Sequence, residues 1–526
     1  MSFEQAIHAR AIHLDTMSLE MCAESGSGHP TSAMSIGHIV SVLMYHTMRW
    51  LPENPSCSTA DRFVLSEGHA VPAVYAAMAD IGATVEWNGE PVKLNREHLA
   101  TLREDDSPLD GHPNPMEGVA FFDAATGSLG QGLSVAAGLG LAARADNTGR
   151  LVYCLIGDGE AREGQITEAL DFIMDHNLTN VLPIFNCNAF GQAGAVSDQQ
   201  SAETIAAKLK ASGYEVRLID GHNPNEIKEA FGAFSQGNPT SPMAVVAKTV
   251  KGWGSPTMQN GNWHGKPAGK DKVEEILAEL RQTALQLTSS LTTNTISIPA
   301  PPEVTNSAAD AQTPTTFREA MKKWDQLTVL QSGKMATRKA YGVALRALGY
   351  TNGDVWAVDA DVSNSTFSNA FGDDEALANR FVECKIAEQN MYSVGAGLSA
   401  AGKIPFCSTF SKFITRGYDQ IEMALNSGAN MKIVGSHSGI SLAADGPSQM
   451  SLPDIAWFRS FGTMTDHHGN PGFYVLQPAD AWAAYGLTVA MAEHDGCCYL
   501  RTFRPEVEMI YDENTKFELG GMEVLT

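Results

Sequence analysis

A stretch between residues 157 and 188 combines residue types that could hold a metal ion and a diphosphate. Gly157-Asp158-Gly159-Glu160 follows the apolar run LVYCLI, and Asn188 follows a second apolar run, VLPIF. Glycine has no Cβ, so the backbone beside Asp158 could approach phosphate oxygens closely. Carboxylate and amide oxygens suit Mg²⁺ or Ca²⁺, whereas zinc prefers histidine or cysteine. GDGE alone is more simply a turn, but the spaced pair favours a site for a metal-bound diphosphate.

The spacing of this pair predicts where the two side chains lie. Asp158 and Asn188 are separated by 188 − 158 = 30 residues. That is about the length of one crossover between parallel strands, roughly 30 residues. We therefore expect Asp158 and Asn188 to meet at the ends of neighbouring strands.

Four histidines lie next to glycine in predicted loops. They are His29, His69, His112 and His264. A histidine of a protein core usually lies within a periodic apolar face, so this placement favours a functional role. Imidazoles can relay protons between hydroxyl groups.

Two further features of the first half have two interpretations each. The run Gly127-Ser128-Leu129-Gly130-Gln131-Gly132 opens a helix of small residues, so its N–H groups could face an anion or its glycines could permit close helix packing. Lys251 follows the apolar run MAVVA, where it could place a cation at a strand end or be a solvated surface lysine.

In the second half, Glu388 is the residue most indicative of chemistry. The residues after it, MYSVGAGLSAAG, predict a buried helix, where an unpaired carboxylate is costly. Phe410 and Phe413 are three apart and are predicted to share one helix face, where they could form an aromatic wall. Ordinary core aromatics would have the same spacing.

Apolar strands and helices alternate in two series that must position these residues. Residues 1–286 contain LVYCLI, VLPIF, EVRLID and MAVVAKT, and residues 333–526 contain VWAVDAD, MKIVGSHSG and CCYLRTF. Residues 287–332 begin with a stretch rich in Thr, Ser, Pro and Ala, which indicates a linker. The pattern predicts an α/β protein whose mainly parallel sheets are flanked by helices.

Composition limits the classes of partner. The formal net charge of −24 argues against nucleic acid or an anionic membrane as a bulk partner. Eight cysteines without a Cys-x-x-Cys pair are typical of a reducing compartment, so we expect a cytoplasmic protein.

Taken together, and in this order along nearly all 526 residues, these motifs resemble the transketolase family of thiamine diphosphate enzymes. The strings GHP, GDGE, IAEQN and DGPSQM carry the resemblance. The glutamine at position 449 resembles the residue of the animal-type branch of the family. The resemblance implies two thiamine diphosphate-binding-fold domains, a diphosphate-binding domain over 1–286 and a pyrimidine-binding domain over 333–526. The family's third, C-terminal domain is not expected within these residues.

The resemblance also implies the cofactor site. Thiamine diphosphate and Mg²⁺ or Ca²⁺ are expected, with Asp158, Asn188 and the backbone carbonyl of Phe190 as metal ligands. Glu388 would hydrogen-bond the pyrimidine ring of the cofactor. The implied cofactor-binding residues are Gly157, Asp158, Gly159, Asn188, Gly127, Leu129, Lys251, Glu388, Phe410 and Phe413.

Substrate contacts are implied in the same way. The arginine fork is suited to phosphate because it donates two bonds at once. The implied catalytic residues besides Glu388 are His29, His69, His112, His264 and Asp445. The implied contacts to substrate phosphate or hydroxyl groups are Arg338, Ser365, His437, Asp445, Gln449 and Arg504.

The implied activity is reversible transfer of a two-carbon ketol unit from a ketose phosphate to an aldose phosphate. The resemblance further implies a homodimer with active sites at the subunit interface. Two alternatives stay open: another thiamine diphosphate enzyme, such as deoxyxylulose phosphate synthase, dihydroxyacetone synthase or phosphoketolase, and a binding protein that kept the fold without catalysis.

Overall fold

A computed structural model describes residues 2–260, 263–288, 297–303, 311–465, 469 and 471–522. The chain forms two compact units, Met1–Val304 and Thr305–Thr526. Each unit is built around a parallel sheet that helices flank, as the sequence predicts. No helix within the described ranges is both long and apolar enough to cross a membrane.

The first unit contains a five-stranded sheet and a separate two-stranded hairpin. Its strands are β1 (Arg62–Leu65), β2 (Thr84–Trp87), β3 (Glu90–Lys93), β4 (Val152–Gly157), β5 (Val181–Cys187), β6 (Glu215–Asp220) and β7 (Met243–Lys248). The sheet has the order β1-β4-β5-β7-β6 and is parallel throughout, whereas β2 and β3 pair antiparallel.

The helices of the first unit alternate with these strands. They are α1 (Phe3–Glu24), α2 (Pro30–Val42), α3 (Val71–Ile81), α4 (Gly132–Ala145), α5 (Gly164–Asp175), α6 (Ala202–Ala211), α7 (Pro224–Ser235), α8 (Pro256–Gln259) and α9 (Lys270–Leu287). Strand β5 is buried along its whole length, which explains its uninterrupted apolar run. In the register of β4 with β5, Gly157 lies opposite Asn186. The two predicted ligand segments therefore leave the sheet at the same edge.

The second unit contains a six-stranded parallel sheet and a short antiparallel pair. Its strands are β8 (Lys334–Ala336), β9 (Val355–Asp359), β10 (Phe381–Glu383), β11 (Ile404–Phe410), β12 (Lys432–Ser436), β13 (Phe473–Leu476), β14 (Cys497–Arg501) and β15 (Glu506–Glu508). The sheet has the order β10-β9-β11-β12-β14-β13, and β15 pairs with β8.

Nine helices of the second unit lie within the described ranges. They are α10 (Phe317–Lys323), α11 (Leu327–Gln331), α12 (Thr337–Thr351), α13 (Ser363–Thr366), α14 (Asn369–Gly372), α15 (Glu388–Ala400), α16 (Tyr418–Asn426), α17 (Asp454–Phe461) and α18 (Ala481–Glu493). Helices α10 and α11 fall within the predicted linker, where Phe317 packs against Trp482 and Tyr485. Residues 289–296 and 304–310 of that linker lie outside the described residues. The predicted domain limits stay a proposal.

The predicted helix face shared by Phe410 and Phe413 is wrong. Phe410 is the last residue of β11, and Phe413 begins a separate 3₁₀ turn, Phe413–Gly417. The spacing of three residues fits one helical turn, but the run before Phe410 pairs with β9 and β12 and so remains a strand. The two rings come together because the chain bends between the end of β11 and this turn, and not because they share a helix.

Candidate active site

Asp158 lies at the carboxyl end of β4 and is held by backbone N–H groups. Its Oδ1 accepts a bond from the N–H of Gly159 at 2.7 Å, and its Oδ2 accepts one from the N–H of Ala189 at 2.6 Å. Ala189 reaches this position with a φ of +67°, in the left-handed region. Burial raises the pKa of Asp158 to about 6, so a nearby cation would stabilise its charged form.

The turn that follows β5 supplies the other two predicted ligands. Asn188 Oδ1 accepts a bond from the N–H of Phe190 at 3.0 Å, and the N–H of Gly191 donates to the carbonyl of Gly194 at 2.9 Å. Asp158, Asn188 and the Phe190 backbone therefore gather around one tight turn. The described residues hold no cluster of three or more His, Cys, Asp or Glu side chains arranged for a metal. A cation here would need amide, carbonyl and phosphate oxygens to complete its ligands.

Beneath this turn lies a buried carboxylate that sequence reasoning missed. Glu67 is 1% exposed and accepts two bonds from the amide nitrogen of Asn186, at 2.9 and 3.2 Å. Burial raises the pKa of Glu67 well above its ordinary value. Its position next to Gly68, inside the motif that contains His69, was the available signal.

Glu160, the last residue of the GDGE motif, is buried and accepts hydrogen bonds from three separate segments of the first unit. Its two oxygens accept bonds from the N–H groups of Gly130, at 2.8 Å, and Gly157, at 3.0 Å, and the Ser66 hydroxyl also donates to it. Burial raises its pKa to about 7. Glu160 therefore joins the segment GSLGQG to the end of β4 rather than facing a ligand.

The four predicted histidines converge in the first unit. The ring of His29 lies 5.0 Å from that of His69, 5.3 Å from that of His264 and 6.4 Å from that of His112, measured between centroids. Burial, the largest cause, lowers the pKa of all four, and those of His29 and His264 fall to about 4. The imidazoles are therefore neutral at neutral pH. Among the described residues, the buried Nδ1 of His29 has no hydrogen-bond partner.

Lys251 lies beside this histidine cluster. Its ammonium group contacts Nδ1 of His264, and burial lowers its pKa to about 8. Lys251 and His264 line a cavity of about 300 Å³ together with Phe190 and Trp263. The cation thus faces an open space next to the turn that carries the predicted ligands.

The glycine-rich segment before α4 packs closely against its neighbours, which is one of the two roles considered for it. Gly127 has a φ of +126°, and a Cβ there would lie 2.6 Å from the ring of His112, so a side chain at this position would be strained. A Cβ at Gly132 would lie 2.6 Å from Ser66, which is the close-packing role. Leu129 is partly exposed, at 39%.

In the second unit, Glu388 is the first residue of α15 and is 3% exposed. It accepts a bond from Nη1 of Arg416 at 2.7 Å. The Arg416 guanidinium also lies 4.9 Å from the centre of the Phe413 ring. The buried carboxylate is therefore paired, and the pairing arginine belongs to the aromatic wall.

That wall consists of three stacked rings. Phe410 and Phe413 lie 5.2 Å apart with an angle of 8° between their planes, and Phe410 stacks on His437 at 4.0 Å. Tyr418 stacks on Phe461. The stacked rings offer a flat apolar surface for another ring.

Three predicted phosphate ligands share one positively charged region. Nη1 of Arg338 donates to the carbonyl of Ser365 at 2.7 Å and lies 3.3 Å from Nε2 of His437. Burial, then Arg338 and Arg504, lower the pKa of His437 to about 4. Burial and the charge of Arg504 lower the pKa of Arg338. Ser365 thus contributes its backbone carbonyl to this group.

Asp445 and Gln449 lie apart from that group. Asp445 ends an exposed 3₁₀ turn, Ala443–Asp445, and the N–H of Gln449 donates to the carbonyl of Gly446 at 3.2 Å. Within the described ranges, neither side chain hydrogen-bonds to Arg338, His437 or Arg504. Their predicted substrate contacts stay predictions.

The fold and these groups define a class, the thiamine diphosphate-binding α/β proteins. Residues 6–331 match the family model described as transketolase, thiamine diphosphate binding domain, and residues 333–509 match that described as transketolase, pyrimidine binding domain. The chain belongs to the transketolase family.

Relatives and solved structures agree with this assignment. The chain is 38% identical to human transketolase over 525 residues, which cover 99% of this chain and 78% of that protein. It is 38% identical, with the same coverage, to the bovine transketolase-like protein 2. The crystal structure of Campylobacter jejuni transketolase has the same fold, with a TM-score of 0.76, 22% identity, and coverage of 97% of this chain and 80% of that one.

Proposed function

We propose that this chain is a transketolase that moves a two-carbon ketol unit from a ketose phosphate to an aldose phosphate, with thiamine diphosphate as cofactor. The observation that carries the proposal is the buried Glu388 beside the stacked Phe410 and Phe413 rings. A chain that kept the fold for binding alone has no need of a buried, paired carboxylate at an aromatic wall.

The residues present fit the cofactor at its diphosphate end. Gly127 lets the backbone pack against the His112 ring, and Lys251 supplies a cation. Burial raises the pKa of the Asp158 carboxyl, so a cation would stabilise its charged form. Asp158, Asn188 and the Phe190 carbonyl would hold Mg²⁺, which would supply positive charge for a diphosphate. Gly157 and Gly159 would let the backbone approach it.

Glu388 would act at the pyrimidine end. When bound, thiamine diphosphate supplies a nucleophilic carbon that can carry a two-carbon unit. Glu388 would hydrogen-bond the pyrimidine N1′ and favour the tautomer whose exocyclic nitrogen can take up a proton. Arg416 fixes the direction of the Glu388 carboxylate, and Phe410 and Phe413 would orient the ring.

The histidine cluster would manage protons on the sugar. Neutral imidazoles can both accept and donate a proton, and the low pKa values of His29 and His264 keep them neutral. His29, with an unpartnered buried nitrogen among the described residues, is the member best suited to a substrate hydroxyl. His69, His112 and His264 would extend the relay.

The positively charged group of the second unit would bind the substrate phosphate. Besides burial, the charge of Arg504 lowers the pKa of Arg338, and both arginines lower the pKa of His437, so a dianion would be favoured there. This supports sugar phosphates over neutral sugars as substrates. Asp445 and Gln449 would contact sugar hydroxyl groups.

We further propose a cytoplasmic homodimer in which each active site combines the diphosphate-binding residues of one subunit with Glu388 of the other. The proposed cofactor-binding residues are divided between the two compact units of the chain, as this arrangement requires. Sedimentation of the cofactor-loaded protein should give a dimer, and an active monomer would contradict the proposal.

A panel of donor and acceptor sugars tests the activity. The full chain with thiamine diphosphate and Mg²⁺ should transfer a ketol unit between phosphorylated sugars. Phosphate-dependent cleavage without an acceptor, use of formaldehyde as acceptor, or condensation of pyruvate with glyceraldehyde phosphate would indicate another thiamine diphosphate enzyme. Absence of any turnover with saturating cofactor would support a binding protein.

A further inference from the structure

Three buried histidines form a chain of contacts behind the segment that carries Lys251. His8 of α1, His38 of α2 and His222 after β6 follow one another, with His8 Nδ1 2.9 Å from His38 Nε2 and His38 Nδ1 3.3 Å from His222 Nδ1. The indole of Trp253 stacks on His222 at 5.0 Å and meets the edge of His38 at 4.4 Å. We call His8, His38 and His222 the imidazole file. The proposed mechanism gives it no role.

The file ends on the backbone next to Lys251. The N–H of Val250 donates to Nε2 of His222 at 2.8 Å. The flanking N–H groups, of Thr249 and Gly252, donate to backbone carbonyls instead, at 3.1 and 3.0 Å. The imidazole of His222 therefore accepts from the Thr249–Val250 peptide unit, one residue before Lys251.

The hydrogen-bond partners determine which ring nitrogen carries the proton in each neutral histidine of the imidazole file. A backbone N–H can only donate, so Nε2 of His222 accepts, and a neutral His222 carries its proton on Nδ1. That proton faces Nδ1 of His38, which must accept, so His38 carries its proton on Nε2 and donates to Nδ1 of His8. His8 then carries its proton on Nε2, which lies 3.9 Å from Glu4. One set of tautomers satisfies every contact.

An extra proton at the outer end reverses this order. Protonated His8 donates from both nitrogens, so its Nδ1 faces the proton on Nε2 of His38. The conflict is relieved if His38 moves its proton to Nδ1 and His222 moves its own to Nε2. Nε2 of His222 then faces the Val250 N–H as a second donor, and that bond is lost.

Burial and the nearby carboxylates shift the pKa values of the imidazole file in opposite directions. Burial is the main cause that lowers the pKa of His8, while Glu4 of α1 and Asp220 of β6 oppose it. Burial also lowers the pKa of His38 well below its ordinary value and that of His222 to about 3. The file is therefore neutral at neutral pH, and His8, which Glu4 and Asp220 favour in the charged form, takes up the first proton.

We propose that the imidazole file is a positioning element: by accepting the Val250 N–H it holds Lys251 against His264, and proton uptake at His8 releases that hold. The inference rests on the proposed function, because the position of Lys251 matters only where a diphosphate binds beside it. It adds three positioning residues that lie outside the set of proposed ligands.

The first test compares two substitutions of His222 in the full chain. His222→Phe keeps the ring volume and removes the acceptor, whereas His222→Gln can place Oε1 where Nε2 lies. With Mg²⁺ present at pH 8, calorimetry should show the Kd for thiamine diphosphate rising about five- to tenfold in His222→Phe, as expected for one lost hydrogen bond. His222→Gln should restore most of the affinity. Equal Kd values in wild type and His222→Phe, or equal weakening in both variants, would overturn the proposal.

The second test follows cofactor affinity from about pH 8 down to about pH 5.5, across the range in which an imidazole titrates. His8→Asn can place Oδ1 where Nδ1 lies, so it still accepts from His38 but takes up no proton. At the acid end His8→Asn should bind thiamine diphosphate more tightly than wild type, while the control His46→Asn follows wild type. Superimposable profiles of His8→Asn and wild type would contradict the release step. Failure of wild type itself to bind the cofactor with Mg²⁺ would instead count against the proposed function.

Discussion

Two buried carboxylates, one in each unit, are prepared for their roles in opposite ways. Asp158 stands at a strand end and accepts bonds from two backbone N–H groups, and burial raises its pKa to about 6. Glu388 stands at the start of a helix and is already paired with the guanidinium of Arg416. Among the described residues Asp158 forms no ion pair, although the charge of Lys251 acts on it, whereas Glu388 is paired with Arg416.

This difference in hydrogen-bond and ion-pair partners indicates which of the two carboxylates is better suited to bind a metal ion. A buried carboxylate that holds only neutral donors gains most from an added cation. One that is already paired can serve as a hydrogen-bond acceptor of fixed direction instead. The contrast supports the proposal that Asp158 binds the metal ion and that Glu388 acts on the cofactor.

The largest expected effect comes from Glu388→Gln, which keeps the shape and removes the charge. Turnover should fall by about 10²- to 10⁴-fold, the usual worth of a positioned acid or base. Affinity for thiamine diphosphate, measured by calorimetry, should change far less. Glu422→Gln, on the exposed face of α16, is the matched control. Wild-type turnover in Glu388→Gln would remove Glu388 from the mechanism.

Asp158→Asn should show the opposite pattern. Loss of the carboxylate should weaken Mg²⁺-dependent cofactor binding by about 100-fold, at the upper end of effects seen around metal sites. The amide oxygen of Asn can keep one of the two backbone N–H bonds that Asp158 accepts and loses the other, so we also expect a loss of about 1–3 kcal/mol in stability, which urea unfolding measures separately. Asp175→Asn, at the exposed end of α5, serves as control. If cofactor binding by Asp158→Asn depends on Mg²⁺ as it does in wild type, Asp158 is not a metal ligand and the proposed difference from Glu388 is wrong.

Gly127→Ala tests whether the diphosphate side also depends on backbone shape. Its φ of +126° and the His112 ring 2.6 Å from a Cβ make any side chain strained. We expect a loss of about 1–3 kcal/mol in the free energy of unfolding, as for other residues forced into such backbone. Gly149→Ala has a positive φ of +68° but open space around it, so it should lose only the cost of the left-handed backbone, about 1–2 kcal/mol, and less than Gly127→Ala. Equal losses in urea unfolding would mean that His112 yields.

The smallest expected effect is a pH dependence of stability. The pKa of His264 is lowered from 6.5 to about 4, so the unfolded chain binds protons that the folded chain does not between those values. His264 therefore costs stability as pH falls from 6.5 toward 4. Asp158 and Glu160 act in the opposite sense, so the informative quantity is the difference between wild type and His264→Asn. That variant should lose less stability than wild type from pH 7 to pH 5, and a larger loss would contradict a neutral cluster.

The sequence predicted the parts of the site that depend on local pattern. The spacing of Asp158 and Asn188 predicted strand ends at one edge, and the register of β4 with β5 confirms that edge. The Gly-neighboured histidines were predicted individually, and the structure adds that their rings converge.

Contacts between distant residues could not be predicted in this way. The pair Glu67 and Asn186 spans 119 residues, and neither residue has a period or spacing that indicates the other. His8 and His38 lie inside helices with many apolar neighbours, where a histidine resembles any other core residue. The bend between Phe410 and Phe413 depends on which strands pair with β11, a tertiary property that overrides the helical spacing.

Mixing Asp158→Asn with Glu388→Gln tests most directly the central claim that one site combines residues of two subunits. Each variant alone should be nearly inactive. After exchange of subunits, half of the dimers are mixed and each contains one site without either substitution, so activity should recover to about a quarter of wild type. If both carboxylates of a site came from the same chain, the mixture would stay as inactive as its components, and the account would be contradicted.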